Sequence, residues 1–252
     1  NLRITKDDLK NFIHSKNENT IFGKLPIASD FDQFGSYEIN KLSKIRSLGA
    51  KNLSSAWISI PHVTHFEEAD LTQINKLKQS SSLSPLAYVV KSIAKNLIEF
   101  KHFNSSLVQN DEIVLKNYIN IGIAVDTPAG LVVPVLKDAD KLSIKDINAQ
   151  IKLLAKKAIE KKLLGKDLSG ATFTVSSLGK IGGVGFTPII NPPEVAIIGI
   201  SRAKKQVTLT GGEVVEKDIL PLSLSYDHRV INGADAGRFM DSLKSLIENC
   251  TE

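Results

Sequence analysis

The chain has 252 residues, 42% of them hydrophobic, and a formal net charge of +5, which is apolar material enough for one large core or two small ones. Its apolar runs, such as 194–200, fall far short of the roughly 20 residues a membrane span needs, and no charged segment followed by an apolar one opens the chain, so it reads as soluble and not secreted. A single cysteine, Cys250, excludes an intrachain disulfide, a paired-cysteine redox motif and a thiolate metal cage, and fits a reducing compartment.

The opening NLRITKDDLKNFI reads as a short helix, with Thr5 as N-cap and Leu9, Phe12 and Ile13 on one face. The only methionine is Met240, so further domains are expected upstream of Asn1. Residues 16–36 are polar and irregular, punctuated by Gly23, Pro26 and Gly35, and read as a linker; the main domain is expected over 37–252. Leu42, Ile45 and Leu48 mark a helix, WISIPHVTHF a strand, and Leu71, Ile74 and Leu77 another helix. Ser84 and Pro85 sit at N-cap and first-turn positions ahead of Leu86, Val89, Ile93 and Leu97 at helical spacing. Strands follow at 113–115, 118–125 and 131–136, the last after the Pro128-Ala129-Gly130 turn. Ser143 opens a helix with Ile144, Ile147, Ile151, Leu154 and Ala158 on its stripe, expected to close at Gly165. The lysines between 152 and 166 lie on this helical pattern. With 6% aromatics and no zinc-finger or RNA-platform motif, they read as a solvated face and not as a nucleic-acid site. The second half is strand-rich: ATFTVSS, EVAIIGIS, a hairpin around Gly211-Gly212, and LPLSLSYDH. A helix from about Ala234 closes the chain. Helices between groups of strands, with hairpins and no repeat, predict a mixed α/β (α+β) sandwich and not a doubly wound parallel sheet.

Four of the five histidines carry weak claims to chemistry. His14 and His102 sit where solvent or local hydrogen bonds are the default. His62 and His65 are spaced H-x-x-H, but strand positions i and i+3 point to opposite faces, and no third ligand accompanies them, so no metal site is expected. His228 stands where the alternating strand of Leu222, Leu224 and Tyr226 ends and a helix begins after Asn232-Gly233. A neutral imidazole with a pKa near about 6.5 suits removal of a proton from a thiol of pKa about 8.5, though a lone strand-end histidine is more often structural. A serine-hydrolase triad is a poor fit, since Asp227 is adjacent in the strand and no serine lies in a G-x-S-x-G elbow. GKIGGVG, from Gly179 to Gly185, lacks the spacing of a phosphate loop and no helix follows it promptly. In the preceding strand Thr172, Thr174 and Ser176 share one face, while Phe173, Val175 and Ser177 share the other. That polar row either faces a site, where a hydroxyl serves an oxyanion, or faces solvent.

Taken together, FTVSSLGKIGGVGFTPIINPPEVAIIG and LSLSYDHRVINGADAGRF resemble the two signature segments of the 2-oxo acid dehydrogenase acyltransferases. WISIPHVTHFEEADLT, FNSSL and YINIGIAVDTPAGLVVPV are similar in order and spacing, so the resemblance covers most of 37–252. TVSSLGKIGG and SYDHRVING are most like the branch that serves pyruvate dehydrogenase complexes as their acetyltransferase. Residues 1–15 resemble the last helix of that branch's peripheral-subunit-binding domain. The resemblance implies a chloramphenicol acetyltransferase-like fold, a mixed sheet flanked by helices, as the building block of homotrimers that assemble into a hollow core, cubic in preference to dodecahedral. It implies coenzyme A as substrate, a lipoyl group carried on upstream lipoyl domains, no metal, and as partners the pyruvate decarboxylase and lipoamide dehydrogenase components, with no nucleic acid and no membrane. It also implies a bacterial cytoplasmic location, with the mitochondrial matrix as alternative.

The same resemblance implies that His228 deprotonates the attacking thiol and that Ser176 of a neighbouring subunit supports the tetrahedral oxyanion. Asn232 occupies the position where H-x-x-x-D-G is the commoner pattern. If that position caps the closing helix or orients its loop, asparagine serves nearly as well as aspartate; if it must pair an arginine such as Arg46, asparagine weakens the site. The other readings are a non-catalytic scaffold of such a complex, the acyltransferase of another 2-oxo acid dehydrogenase complex, and an antibiotic-type acetylase with a small hydroxyl acceptor. Retention of His228 and Ser176 speaks against the first, and the binding-domain remnant against the last.

Overall fold

Four polar side chains start four helices. Ser43, Ser84, Ser143 and Asn232 each accept a backbone N–H from the first turn of α1 (Lys44–Ser59), α3 (Pro85–Glu99), α4 (Ile144–Ile159) and α5 (Gly233–Glu248), satisfying a donor that a helix end otherwise leaves unpaired. A shorter helix, α2 (Thr72–Ser81), ends at Ser82 in the left-handed conformation. The structure, a computed structural model, describes residue 6 and residues 27–179 and 181–251. His14, most of the helix expected over 1–15 and the linker up to residue 26 therefore lie outside the described residues. The chain divides into Asn1–Leu42 and a larger unit, Ser43–Glu252. In the first, a 3-10 turn at Ala28–Phe31 runs into a further turn through Phe34 and then irregular chain, with Phe34, Ile39 and Leu42 exposed.

The larger unit is built on one mixed sheet. Its strands are β1 (His62–Asp70), β4 (Ile121–Ile123), β7 (Val135–Leu136), β8 (Phe173–Ser177), β9 (Ala196–Ile200), β10 (Lys204–Thr210) and β11 (Glu213–Asp227), in the order β1-β11-β9-β8-β4-β7 with β10 on the first part of β11. β4, β8 and β9 run parallel and the remaining pairs antiparallel. Two hairpins stand apart: β2 (Ser105–Leu107) with β3 (Ile113–Leu115), and β5 (Val125–Thr127) with β6 (Gly130–Val132). This is the mixed α/β architecture that the order of elements predicts.

The two faces of the sheet are covered differently. Phe173, Val175, Ile198, Leu222, Leu224 and Tyr226 face the helices and join Ile74, Ile93, Leu97, Ile147, Phe239, Met240 and Leu243 in one core. The other face is roofed by the irregular segment between β8 and β9. A Cβ on Gly199 would lie 2.7 Å from the Phe186 ring, and one on Gly185 would lie 3.6 Å from Phe66. Ile190 and Ile197 meet Ala56 and Ile60 in a second, smaller core.

Several boundaries differ from those the sequence predicts: the strand expected over 118–125 is replaced by β4 and the start of β5, and the one over 131–136 is divided between β6 and β7. Trp57–Ser59 belong to α1 and not to a strand, because burial of Ala56 against Ile190 and Ile197 extends the helix until Pro61 stops it,. α4 ends at Ile159, six residues short of Gly165, because Lys161 adopts a φ of +56°. The Gly211-Gly212 hairpin and LPLSLSYDH share one strand of 15 residues, β11, since no breaker other than Pro221 interrupts the alternation.

Phe239 is fully buried, stacked on Phe103 at 4.1 Å and edge-on to Phe100 at 5.5 Å. Phe239→Ala should cost about 3–5 kcal/mol, the usual loss for a buried aromatic, read as a lowered denaturation midpoint with an unchanged slope.

Candidate active site

β11 carries the chain to a corner that its own polar groups hold rigid. Asp227 N–H donates to Val195 O at 2.8 Å, His228 N–H to Pro61 O at 3.1 Å, and Val230 and Ile231 N–H both to Asp227 O at 3.0 Å. The buried Asp227 carboxylate receives Arg229 Nε at 2.9 Å on Oδ1, Arg229 Nη2 at 2.7 Å on Oδ2, and the Arg229 backbone N–H at 3.0 Å. A two-pronged guanidinium contact fixes orientation as well as distance. Between these two residues the His228 side chain is left exposed, its ring centroid 5.9 Å from that of the buried Tyr226.

Four residues on, Asn232 Oδ1 accepts the Asp235 N–H at 2.9 Å. It is the N-cap of α5, the first of the two roles the sequence left open. Arg46 keeps its stem close to Gly130, its Cγ 3.2 Å from where a Cβ there would stand. An asparagine serves this capping role because the helix end needs an acceptor oxygen, which aspartate and asparagine both offer.

Ser176 lies elsewhere. It is level with Gly199 in β9 and through it with Ser223 in β11, and the same row ends at Phe66 in β1. Side-chain alternation sets it on the roofed face with Thr174, whereas Ser177 turns to the helix side. Reaching His228 from Ser176 means crossing two strand spacings, roughly 10 Å, and moving five residues along β11, roughly 16 Å, for a separation of roughly 19 Å. The two groups do not meet within one chain. Nor does the polar row face solvent: Thr172 and Thr174 are buried, and Thr172 Oγ1 donates to Asn120 O at 3.1 Å.

The H-x-x-H pair is structural. His62 Nδ1 reaches Ile60 O at 2.8 Å and its Nε2 accepts Ile190 N–H at 3.0 Å, which sets the proton on Nδ1 and leaves no nitrogen for a metal. His65 lies on the helix side, its Cε1 3.9 Å from the Cβ position of Gly237. Among the described residues no group of three or more potential metal ligands gathers, and no helix is long and apolar enough to cross a membrane.

The sequence reading passed over two groups. The Asp227–Arg229 pair was legible as an i, i+2 pair on one side of a strand end, flanking the histidine. Glu194, buried beside Thr174, gives no local signal, because its burial depends on segments distant in the chain.

The fold is a mixed sheet covered by helices on one face, with a histidine displayed just beyond the end of its longest strand. Residues 34–252 match the family described as 2-oxoacid dehydrogenases acyltransferase (catalytic domain), and the chain belongs to that family. It is 44% identical over 230 residues, 86% of its length, to the dihydrolipoyllysine-residue acetyltransferase component of the pyruvate dehydrogenase complex of Haemophilus influenzae, of which it spans 41%. It thus spans about half or less of the length of the curated relatives first matched. Two solved structures align with a TM-score of 0.87 at 42% identity, over 90% of this chain and 98% of theirs. One is the cubic core of a pyruvate dehydrogenase multienzyme complex. The other belongs to an investigation of a serine, a histidine and an asparagine in the catalytic mechanism of Azotobacter vinelandii dihydrolipoamide acetyltransferase. Chloramphenicol acetyltransferase aligns at a TM-score of 0.55 and 10% identity over 78% of this chain, a likeness of fold alone.

Asn232→Ala should lower stability by about 1 kcal/mol through loss of the cap, whereas Asn232→Asp should stay within about 0.5 kcal/mol of the parent. Thermal melts of the two variants side by side check this.

Proposed function

We propose that this chain transfers an acetyl group between a dihydrolipoyl thiol and coenzyme A, as the core-forming acetyltransferase of a pyruvate dehydrogenase complex. The observation that carries the reading is a spacing. In the Azotobacter protein the serine and histidine under study stand 52 positions apart and the histidine and asparagine 4 apart; Ser176, His228 and Asn232 have the same separations.

His228 takes the proton from the attacking S–H, and the thiolate so formed attacks the thioester carbonyl carbon. The resulting oxyanion receives a hydrogen bond from Ser176 Oγ. On collapse the C–S bond to the first carrier breaks, and the leaving thiolate recovers the proton from the imidazolium. Asn232 acts at one remove, holding the start of α5 so that the histidine corner keeps its shape.

The separation of roughly 19 Å estimated from strand geometry requires the serine and histidine of one reaction to come from different chains. A closed ring of such chains supplies each site with one residue of each kind, and the family resemblance makes that ring a homotrimer. Assembly of trimers into a cubic core follows the likeness to the solved core, as do the lipoyl domain, the decarboxylase and the lipoamide dehydrogenase as partners and the bacterial cytoplasm as location. The catalytic domain is drawn over 37–252, with 1–15 as a binding-domain remnant and 16–36 as linker.

The chain should exchange acetyl between acetyl-CoA and dihydrolipoamide. His228→Ala should remove nearly all of that exchange, and Ser176→Ala should slow it about a hundredfold, the usual effect of losing one oxyanion donor. Mixing the two inactivated proteins under subunit exchange should restore activity, because some mixed trimers hold an intact serine opposite an intact histidine. Light scattering that finds a monomer, or full turnover by the histidine variant, overturns the reading.

A further inference from the structure

Glu194 is a carboxylic acid sealed inside the fold, 3% exposed, at the point where two parts of the proposed site are joined. Asn191 Nδ2 donates to its Oε1 at 3.0 Å. Its Oε2 and the Thr174 hydroxyl are both closed off from solvent, and neither completes a hydrogen bond of good geometry, although the two interact. Among the described residues the cation acting on the carboxyl is Lys116, whose Nζ also donates to Ser105 O at 3.0 Å. Across a cleft of about 110 Å³, which Glu194 lines together with Pro192, Pro193 and Val195, stand Asp227 and Arg229, already paired with each other. Burial pushes the carboxyl up from its ordinary 4.5 to about 7, outweighing the opposing pull of Thr174, Asn191 and Lys116.

The connections run both ways from this residue. Thr174 precedes Ser176 by two positions on β8, and Val195, next to Glu194, accepts the Asp227 N–H of the histidine corner at 2.8 Å. The Pro193 carbonyl is anchored by Ser106 Oγ, so the segment cannot slide freely. A neutral acid needs no counter-ion in this buried position. An ionised one leaves a charge shielded from solvent that Lys116 offsets only in part, and water in the adjoining cleft or a shift of residues 192–195 must compensate.

We propose that Glu194 is a positioning residue that in its neutral form braces the strand bearing Ser176 against the corner bearing His228, and that its ionisation loosens both. This rests on the reading of Ser176 and His228 given above.

Glu194→Gln keeps the shape and removes the ionisation. At about pH 6 its turnover number should match the parent within about twofold, and at about pH 8.5 it should exceed the parent at least about threefold, with KM little changed. Thermal melting gives a readout independent of activity. A carboxyl raised in the folded state stabilises fully below its unfolded value and loses that contribution as pH rises through the folded one. The parent should therefore lose melting temperature relative to Glu194→Gln between pH 4.5 and about 7, and the gap should then stay constant. Thr174→Val, which leaves the carboxyl in place, should move the midpoint of both effects upward, and it keeps the test open should the glutamine variant fold poorly. Parallel melting curves at every pH, or an alkaline fall in turnover that survives in Glu194→Gln, overturn the brace. If neither protein exchanges acetyl while the melting gap still opens with pH, the brace stands and the reading of the site falls.

Discussion

Strand β11 is paired on both sides from Leu222 to Tyr226, with β1 on one edge and β9 on the other, and the site depends on that register. A slip of one residue would turn Leu222, Leu224 and Tyr226 out of the core and bury Ser223 and Ser225 against the helices, at a cost of several apolar side chains at once. The double pairing thus locks the phase of the strand. Because the phase is locked, the residue after Asp227 must leave the sheet where it does, and the His228 N–H closes on Pro61.

The corner beyond the strand is held by polar groups that are each already used. Asp227 spends its carboxylate on Arg229 and its carbonyl on Val230 and Ile231, while Asn232 spends its amide oxygen on α5. The histidine is the side chain left over. On the proposed reading of His228 as the base, a backbone fixed before substrate arrives limits the reorganisation needed to meet a thiol.

Periodicity carried most of the fold. The caps at Ser84 and Ser143 and the alternation in β8 and β11 are local properties, and local reading recovered them, while the cap at Asn232 was one of two roles left open. Where the structure departs, a distant contact decides: Ala56 meets Ile190 and Ile197, so α1 runs on through a stretch rich in strand-forming residues. The burial of Thr172 and Thr174 was ambiguous for the same reason, because a polar row looks alike whether a loop covers it or water does. Glu194 lay beyond local reading altogether. A glutamate after two prolines reads as a solvated turn until the Thr174 side chain and the β2–β3 hairpin are seen to enclose it.

If Ser176 and His228 of one chain serve two different reacting thioesters, each subunit is a rigid link between neighbouring sites. The sheet transmits a displacement at one end to the other because β8, β9 and β11 are hydrogen-bonded neighbours with a packed core on one face and Phe186 seated over Gly199 on the other,. A change buried midway, at Thr174 or Glu194, then acts on the serine of one site and on the histidine of the next. The physical consequence of dividing a site between chains is that disturbing one subunit of a trimer impairs two of its three sites, each through a different residue.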